Sequence, residues 1–299
     1  MMSTLVQEKV DQAVQILQEK NVDAWLTFVR ETSAGGDPVL PLIYGHELTW
    51  QSALILTSQG ERYALVGAFE AETARRTGAY PVVVPYHESV RRSLLHTLER
   101  IYPRKIAINY SENDVQADGL TYGMYQLLLE YFEDTPWEQR LVSAEEVIAT
   151  LRSRKTPTET ARIRAAIETT HQIFERTFTF LKAGQTERQV ADFMHDQMKE
   201  FQVGPAWDYE ECPIVNAGPQ SPTGHVAPSD LAIQPGQILH IDFGVKQDEY
   251  CSDMQAVVYF LAPGESQPPE AVQRGFDTVV SAVQAAVAAM KPGVAGQAV

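Results

Sequence analysis

The chain is short of cysteine, of positive charge and of long apolar runs, and each shortage removes a class of protein. Two cysteines, Cys212 and Cys251, in 299 residues cannot build a disulfide framework, and this points to a reducing compartment. Lys and Arg number 24 against 39 Asp and Glu, a formal charge of −15, and such a surface repels phosphate backbones and anionic lipid headgroups. Neither nucleic acid nor a membrane surface is expected as a partner. No stretch approaches the roughly 20 apolar residues that span a bilayer, and residues 1–14 mix charges with apolar residues instead of forming a signal peptide. The expected location is cytoplasmic. What remains is a globular composition, 44% hydrophobic with 9% aromatic residues, in a chain long enough for two domains.

Apolar residues recur at helical spacing over 5–17, and 24–29 is an apolar run of strand length. Similar runs at 53–56, 63–66, 81–84 and 106–109 alternate with helical stretches at 89–100 and 122–131, the pattern of a sheet covered by helices. Ser143-Ala-Glu-Glu146 and Thr156-Pro-Thr-Glu159 both have capping-box form, the second with Pro157 in its first turn. A second domain is therefore expected to begin at residue 143. From Pro157 a long helix should run to Gly184, burying Ile163, Ile167, Thr170, Phe174, Phe178 and Leu181 as one stripe. A further helix follows over 186–201, then strands and turns to Leu261, then a last helix from Pro268-Pro269 to Met290. Leu181-Lys-Ala-Gly184 ahead of Val190 matches Met290-Lys-Pro-Gly293 ahead of Val299 at one constant offset. An internal duplication explains this, and so does an ordinary helix ending. With a duplication, most of the second copy is expected after Val299.

The chemistry concentrates in two strand-like runs, 238–244 and 250–260, joined by a short turn. With Gln247-Asp248 as the two turn residues, Lys246 faces Glu249, Val245 faces Tyr250 and Asp242 faces Asp253. Directly paired side chains share a face at roughly 4.5 to 5.5 Å between Cβ atoms. Two ionised carboxylates there repel by roughly 3 kcal/mol at an effective dielectric near 20, more than strand pairing offsets. Either one is protonated or a cation lies between them. Oxygen donors favour Mg, Ca or Mn, and added imidazole admits Zn, Co or Fe. Leu239, Ile241, Phe243, Met254, Ala256 and Val258 make one apolar face, and His240, Asp242, Asp253 and Gln255 make a polar one. A solvated hairpin face is the alternative.

His225 lies in a Pro/Gly-rich loop, where substrate-binding groups are often mounted, and an imidazole there can hold a carbonyl or an oxyanion. A merely exposed histidine is the other reading. His46, His87, His96, His171 and His195 have no ligand spacing to one another, and Asp208, Glu210 and Glu211 read as a solvated loop.

Residues 154–299 resemble the pita-bread family of Xaa-Pro aminopeptidases and prolidases, through Cys212-Pro-Ile-Val-Asn-Ala-Gly218, Gly224-His225, Ile233-Gln-Pro-Gly-Gln237, His240-Ile-Asp-Phe-Gly244 and Tyr250-Cys-Ser-Asp-Met254. Residues 1–142 resemble the α/β creatinase-like N-terminal domain of the same proteins, and 143–299 the first part of an α+β pita-bread domain, incomplete. The resemblance implies a metal-dependent aminopeptidase or dipeptidase of the Xaa-Pro type, acting on peptides or dipeptides and commonly homodimeric. Asp242 and Asp253 would be the first two ligands of a two-metal centre of Mn, Co, Zn or Fe. Its bridging water or hydroxide attacks the scissile amide. His225 matches the catalytic, substrate-binding histidine. The remaining ligands, one histidine and two glutamates, match nothing before Val299, so the 299-residue form itself is expected to be inactive. Ala256 stands where many relatives carry arginine. A creatinase-like metal-free hydrolase and a non-catalytic module that binds a peptide or partner are the alternatives.

Overall fold

The computed structural model describes residues 5–222 and 224–299. Residues 1–4, at the start of the N-terminal stretch read above, and Thr223 of the His225 loop lie outside the described residues. The chain divides into two compact units, Met1–Thr160 and Ala161–Val299.

In the first unit the order is α1 (Leu5–Glu19), β1 (Ala24–Val29), α2 (Leu40–Ile43), β2 (Ser52–Thr57), β3 (Arg62–Gly67), α3 (Ala71–Arg76), β4 (Val82–Tyr86), α4 (Arg91–Ile101), β5 (Ile106–Ile108), α5 (Tyr122–Phe132), β6 (Leu141–Ser143) and α6 (Glu145–Ser153). The strands form a six-stranded mixed sheet, β4-β3-β2-β1-β5-β6. Continuous apolar runs suit strands buried on both faces, and every residue of β1 and β2 is buried. Trp25, Leu54, Leu56 and Val66 share one core with residues of α1 and α6, while Leu26, Phe28, Ile55 and Leu65 share another with residues of α4 and α5.

Helix α6, expected in the second domain, belongs to the first unit. Val147, Ile148 and Leu151 join the α1 core, and the buried Lys9 ammonium of α1 donates to Leu151 O, to Arg154 O at 3.2 Å and to Glu159 Oε2 at 3.0 Å. Capping divides likewise. Thr156 and Glu159 exchange both capping-box bonds, Glu159 N to Thr156 Oγ1 at 3.2 Å and Thr156 N to Glu159 Oε2 at 2.7 Å. Ser143 instead ends β6, donates its hydroxyl to Tyr110 O and accepts from Glu145 N at 3.1 Å, the first N–H of α6 rather than that of Glu146.

The second unit continues with α7 (Pro157–Phe180), whose first turn lies in the first unit, then α8 (Glu187–Phe201), β7 (Gly204–Pro205), β8 (Ile214–Ala217), β9 (Ile238–Phe243), β10 (Val245–Gln247), β11 (Tyr250–Cys251), β12 (Met254–Tyr259) and α9 (Glu270–Ala289). The strands make two three-stranded sheets, β12-β9-β8 and β11-β10-β7. The buried stripe of α7 is Ala166, Thr170, Ile173, Phe174 and Thr177, rotated from the expected one, and Phe178 is 44% exposed. Threonines fill it because Thr177 returns its hydroxyl to Ile173 O and Thr170 bonds Ser252, so neither buries an unpaired group. Helices α7 and α8 cover the apolar face of β8 and β9. Gly184 and Gly293 both take positive φ, +91° and +89°, which an ordinary glycine helix ending requires. Helix α9 has no buried residue.

Candidate functional site

The hairpin turn is Asp248-Glu249, with φ of +50° and +67°, instead of Gln247-Asp248. Two successive left-handed residues match the twist of a tight hairpin, and Lys246 pairs with Glu249 at 2.7 Å while Arg162 donates to Asp248 O at 3.2 Å. The register therefore moves by two, pairing Lys246 with Cys251, Gln247 with Tyr250 and Asp242 with Gln255. Asp242 and Asp253 are not directly opposed. A shift of two leaves every side chain on its expected face. Leu239, Ile241 and Phe243 are buried, Met254, Ala256 and Val258 pack against them, and Ala256 faces Ile241 away from the polar side.

Asp253 sits at the break between β11 and β12, where the backbone of Ser252 crosses Gly244. A Cβ on Gly244 would lie 2.0 Å from Ser252 O, so only glycine permits the crossing. The buried Ser252 hydroxyl accepts from Val245 N at 2.9 Å and bonds Thr170 Oγ1 at 2.6 Å, fixing the break from both sides.

Across the polar face a chain of hydrogen bonds leads to Asp242. Asn216 of β8 donates Nδ2 to Ser221 Oγ at 3.1 Å and to Pro222 O at 3.0 Å. Its Oδ1 faces His240 Nδ1 at 3.2 Å, His240 Nε2 faces Gln255 Oε1 at 3.1 Å, and Gln255 Nε2 donates to Asp242 Oδ2 at 3.1 Å. Both nitrogens of His240 are thereby engaged by amides, which removes it as a ligand. The other oxygen of Asp242, Oδ1, is buried with no hydrogen-bond partner. Burial, and next the negative charge of Asp253, push the Asp242 carboxyl above its usual range, while the Gln255 hydrogen bond and the imidazoles of His240 and His225 pull it back. Asp253 and His225, both exposed, are thus within electrostatic reach of Asp242.

An unpartnered carboxylate oxygen beside a second carboxylate is the donor chemistry of a hard or borderline divalent cation. The two aspartates fit such an ion as part of a ligand set. Among the described residues no group of three or more His, Cys, Asp or Glu side chains converges to hold one. His195 is occupied elsewhere, stacked on Tyr209 at 4.0 Å with Nε2 at 2.8 Å from Cys212 O. Asn216 escaped the sequence reading because an amide in a short strand carries no ligand pattern. No helix among the described residues is long and apolar enough to cross a membrane.

Residues 161–299 match the model of metallopeptidase family M24. An uncharacterized peptidase of Staphylococcus saprophyticus is 28% identical over 242 residues, covering 81% of this chain and 63% of its own length. The Xaa-Pro dipeptidase of Lactobacillus delbrueckii subsp. lactis is 30% identical over 190 residues, 64% of this chain and 49% of its own length. The chain thus spans half to two-thirds of the length of these curated relatives. The solved structure of an Xaa-Pro dipeptidase from Bacillus anthracis superposes with a TM-score of 0.67 over 97% of this chain and 73% of that one, at 18% identity, a likeness of fold. Residues 161–299 of this chain are thus similar to metallopeptidase family M24.

Proposed function

We propose that the polar face of β8, β9 and β12 is part of a divalent-metal site of a peptidase that cleaves Xaa-Pro dipeptides or removes an N-terminal residue from peptides. The observation that carries this is the buried, unpartnered Oδ1 of Asp242 with Asp253 and His225 beside it. Asp242 and Asp253 hold the metal, Mn, Co, Zn or Fe, two ions in a complete centre. Gln255 orients the Asp242 carboxylate through Oδ2, the supporting role that outer groups play around metal ligands. His225, on an exposed loop, places an N–H at the carbonyl oxygen of the substrate. When bound, the metal ions supply Lewis-acid activation of water and of the scissile carbonyl.

Two carboxylates are too few to fix two ions, so the 299-residue chain alone is proposed to bind metal weakly and not to turn over. Residues 1–160 are proposed as a creatinase-like N-terminal domain, and the protein as a homodimer of the cytoplasm. The small donor set among the described residues also favours a second reading, a module that binds peptide without hydrolysis. The test is equilibrium dialysis of the chain against Mn2+, Co2+ and Zn2+, beside an Asp242→Asn/Asp253→Asn double variant, followed by binding and hydrolysis assays with an Xaa-Pro dipeptide. Metal uptake by the unsubstituted chain alone is expected. Equal uptake by both removes the metal site, and dipeptide binding without metal uptake selects the second reading.

A further inference from the structure

Glu187 is the first residue of α8, yet its side chain is only 1% exposed, an unusual place for a carboxylate unless it is fully paired. Its Oε1 accepts from Ala217 N at 2.8 Å, and its Oε2 accepts from Ser229 N at 2.9 Å and from Ser229 Oγ at 2.6 Å. These contacts fall at the start and at the end of one segment, the loop that leaves β8 at Ala217 and carries His225. The main chain adds Glu187 N to Leu231 O at 3.1 Å and Arg188 N to Ser229 O at 3.0 Å. The first turn of a helix favours an anion through its free N–H groups and dipole, so α8 supplies an environment in which this carboxylate stays ionised.

The loop needs such a hub. Residues 224–227 are exposed and have no core to pack into, and ordering each backbone residue costs about 1–2 kcal/mol. Asn216 ties Ser221 and Pro222 on the near side, and beyond the exposed residues 224–227 the chain is next held at the buried Pro228 and at Ser229. Glu187 holds that end through two bonds to Ser229 and the near end through Ala217. Charge-assisted hydrogen bonds of this kind are about twice as strong as neutral ones.

We propose that Glu187 is a positioning residue that fixes the His225 loop beside the Asp242 face, a role that rests on the metal-site reading above. It touches neither metal nor substrate and acts through the loop.

The test uses the 299-residue chain with 13C-labelled histidine and Mn2+ as a paramagnetic probe, comparing the unsubstituted chain, Glu187→Gln, and Ile173→Ala as a variant that weakens the α7 core without touching the loop. In the unsubstituted chain Mn2+ is expected to broaden the signals of both His240 and His225. In Glu187→Gln, His240 stays broadened while His225 loses its broadening, and amide exchange at 217–229 quickens about tenfold, the scale of one lost charge-assisted bond. In Ile173→Ala both histidines stay broadened. The proposal is overturned if His225 is broadened equally in Glu187→Gln, or if Ile173→Ala releases it to the same degree. If Mn2+ broadens neither histidine in the unsubstituted chain, the metal-site reading fails, and the exchange rates at 217–229 alone decide whether Glu187 clamps the loop. Should Glu187→Gln fail to fold, Ser229→Ala removes the Oγ donor to Oε2, keeps the Ser229 backbone N–H and leaves the buried charge in place, with the same two outcomes.

Discussion

The two units solve the burial of a sheet differently, and the difference locates the chemistry. In the first unit helices cover both faces of the sheet, and Asn109, taken inside, is paired with Trp25 Nε1 at 2.6 Å, Thr27 Oγ1 at 3.2 Å and Asp37 Oδ2 at 2.6 Å, although the buried Tyr44 hydroxyl finds no partner. In the second unit α7 and α8 cover one face of β12-β9-β8 only, and β9 alternates between buried and half-exposed residues. The uncovered face holds the one carboxylate oxygen of the sheet that is buried without a partner. A doubly covered sheet spends its side chains on cohesion, whereas a singly covered one leaves alternate positions free to bind something.

The largest effect expected from this contrast is on packing. Ile241→Ala, on the covered face, should lower unfolding free energy by about 2–5 kcal/mol, whereas Val257→Ala, 49% exposed on the open face, should stay within about 0.5 kcal/mol. Urea unfolding of the two variants checks this, and equal losses would mean that both faces are covered in solution.

A smaller effect separates the two carboxylates of the second unit. The Asp242 carboxyl is held above its usual range, so its contribution to stability is fully present below the unfolded pKa and is lost as pH rises through the folded one. For Glu187 burial alone would raise the carboxyl, but hydrogen bonds from Ser229 and Ala217 outweigh it and hold it below its usual range. Its contribution is present above the unfolded pKa and is lost as pH falls through the folded one. In metal-free buffer, Asp242→Asn should therefore remove a decline of stability with rising pH, and Glu187→Gln a decline with falling pH. Unfolding curves across the acidic range measure both slopes, and slopes of the same sign would remove the distinction between a site carboxylate and a structural one.

The smallest change in stability, though not in behaviour, is expected on α9. Phe276, Val279, Val283 and Val287 are 52%, 63%, 57% and 61% exposed at helical spacing, an apolar stripe of the kind that seldom stays bare. The chain should self-associate, and Phe276→Ser with Val283→Ser should reduce association in sedimentation velocity while leaving the unfolding midpoint nearly unchanged. A monodisperse unsubstituted chain would sink this expectation.

Much of this was legible in the sequence where the signal is local. The apolar runs became β1, β2 and β3 with little change of bounds, the Thr156 capping box formed with both bonds, and the parity of 238–243 and 254–259 placed Asp242 on the polar face. Legibility failed where two local signals competed or where a distant residue decided. Gln247-Asp248 and Asp248-Glu249 are equally polar turns, and the ion pair and Arg162 contact that accompany the second lie outside the dipeptide. The α7 stripe was misplaced because threonine reads as a gap, although a hydroxyl returned to the backbone buries well. Glu187 carried no pattern at all, and Asn216, though inside the Cys212–Gly218 motif, carried none that marked its hydrogen-bonding role.

By itself the sequence determined which residues are strand or helix and which face each strand residue takes, because side-chain periodicity is a property of the chain and survives any change of register by two. The tertiary structure alone decided that Asp242 faces Gln255, that its Oδ1 is left unpartnered, that α6 joins the first unit through Lys9, and that Glu187 gathers both ends of one loop. Each of these depends on groups far apart in sequence meeting in low dielectric, where an unpaired polar atom is costly and a paired one is held in place.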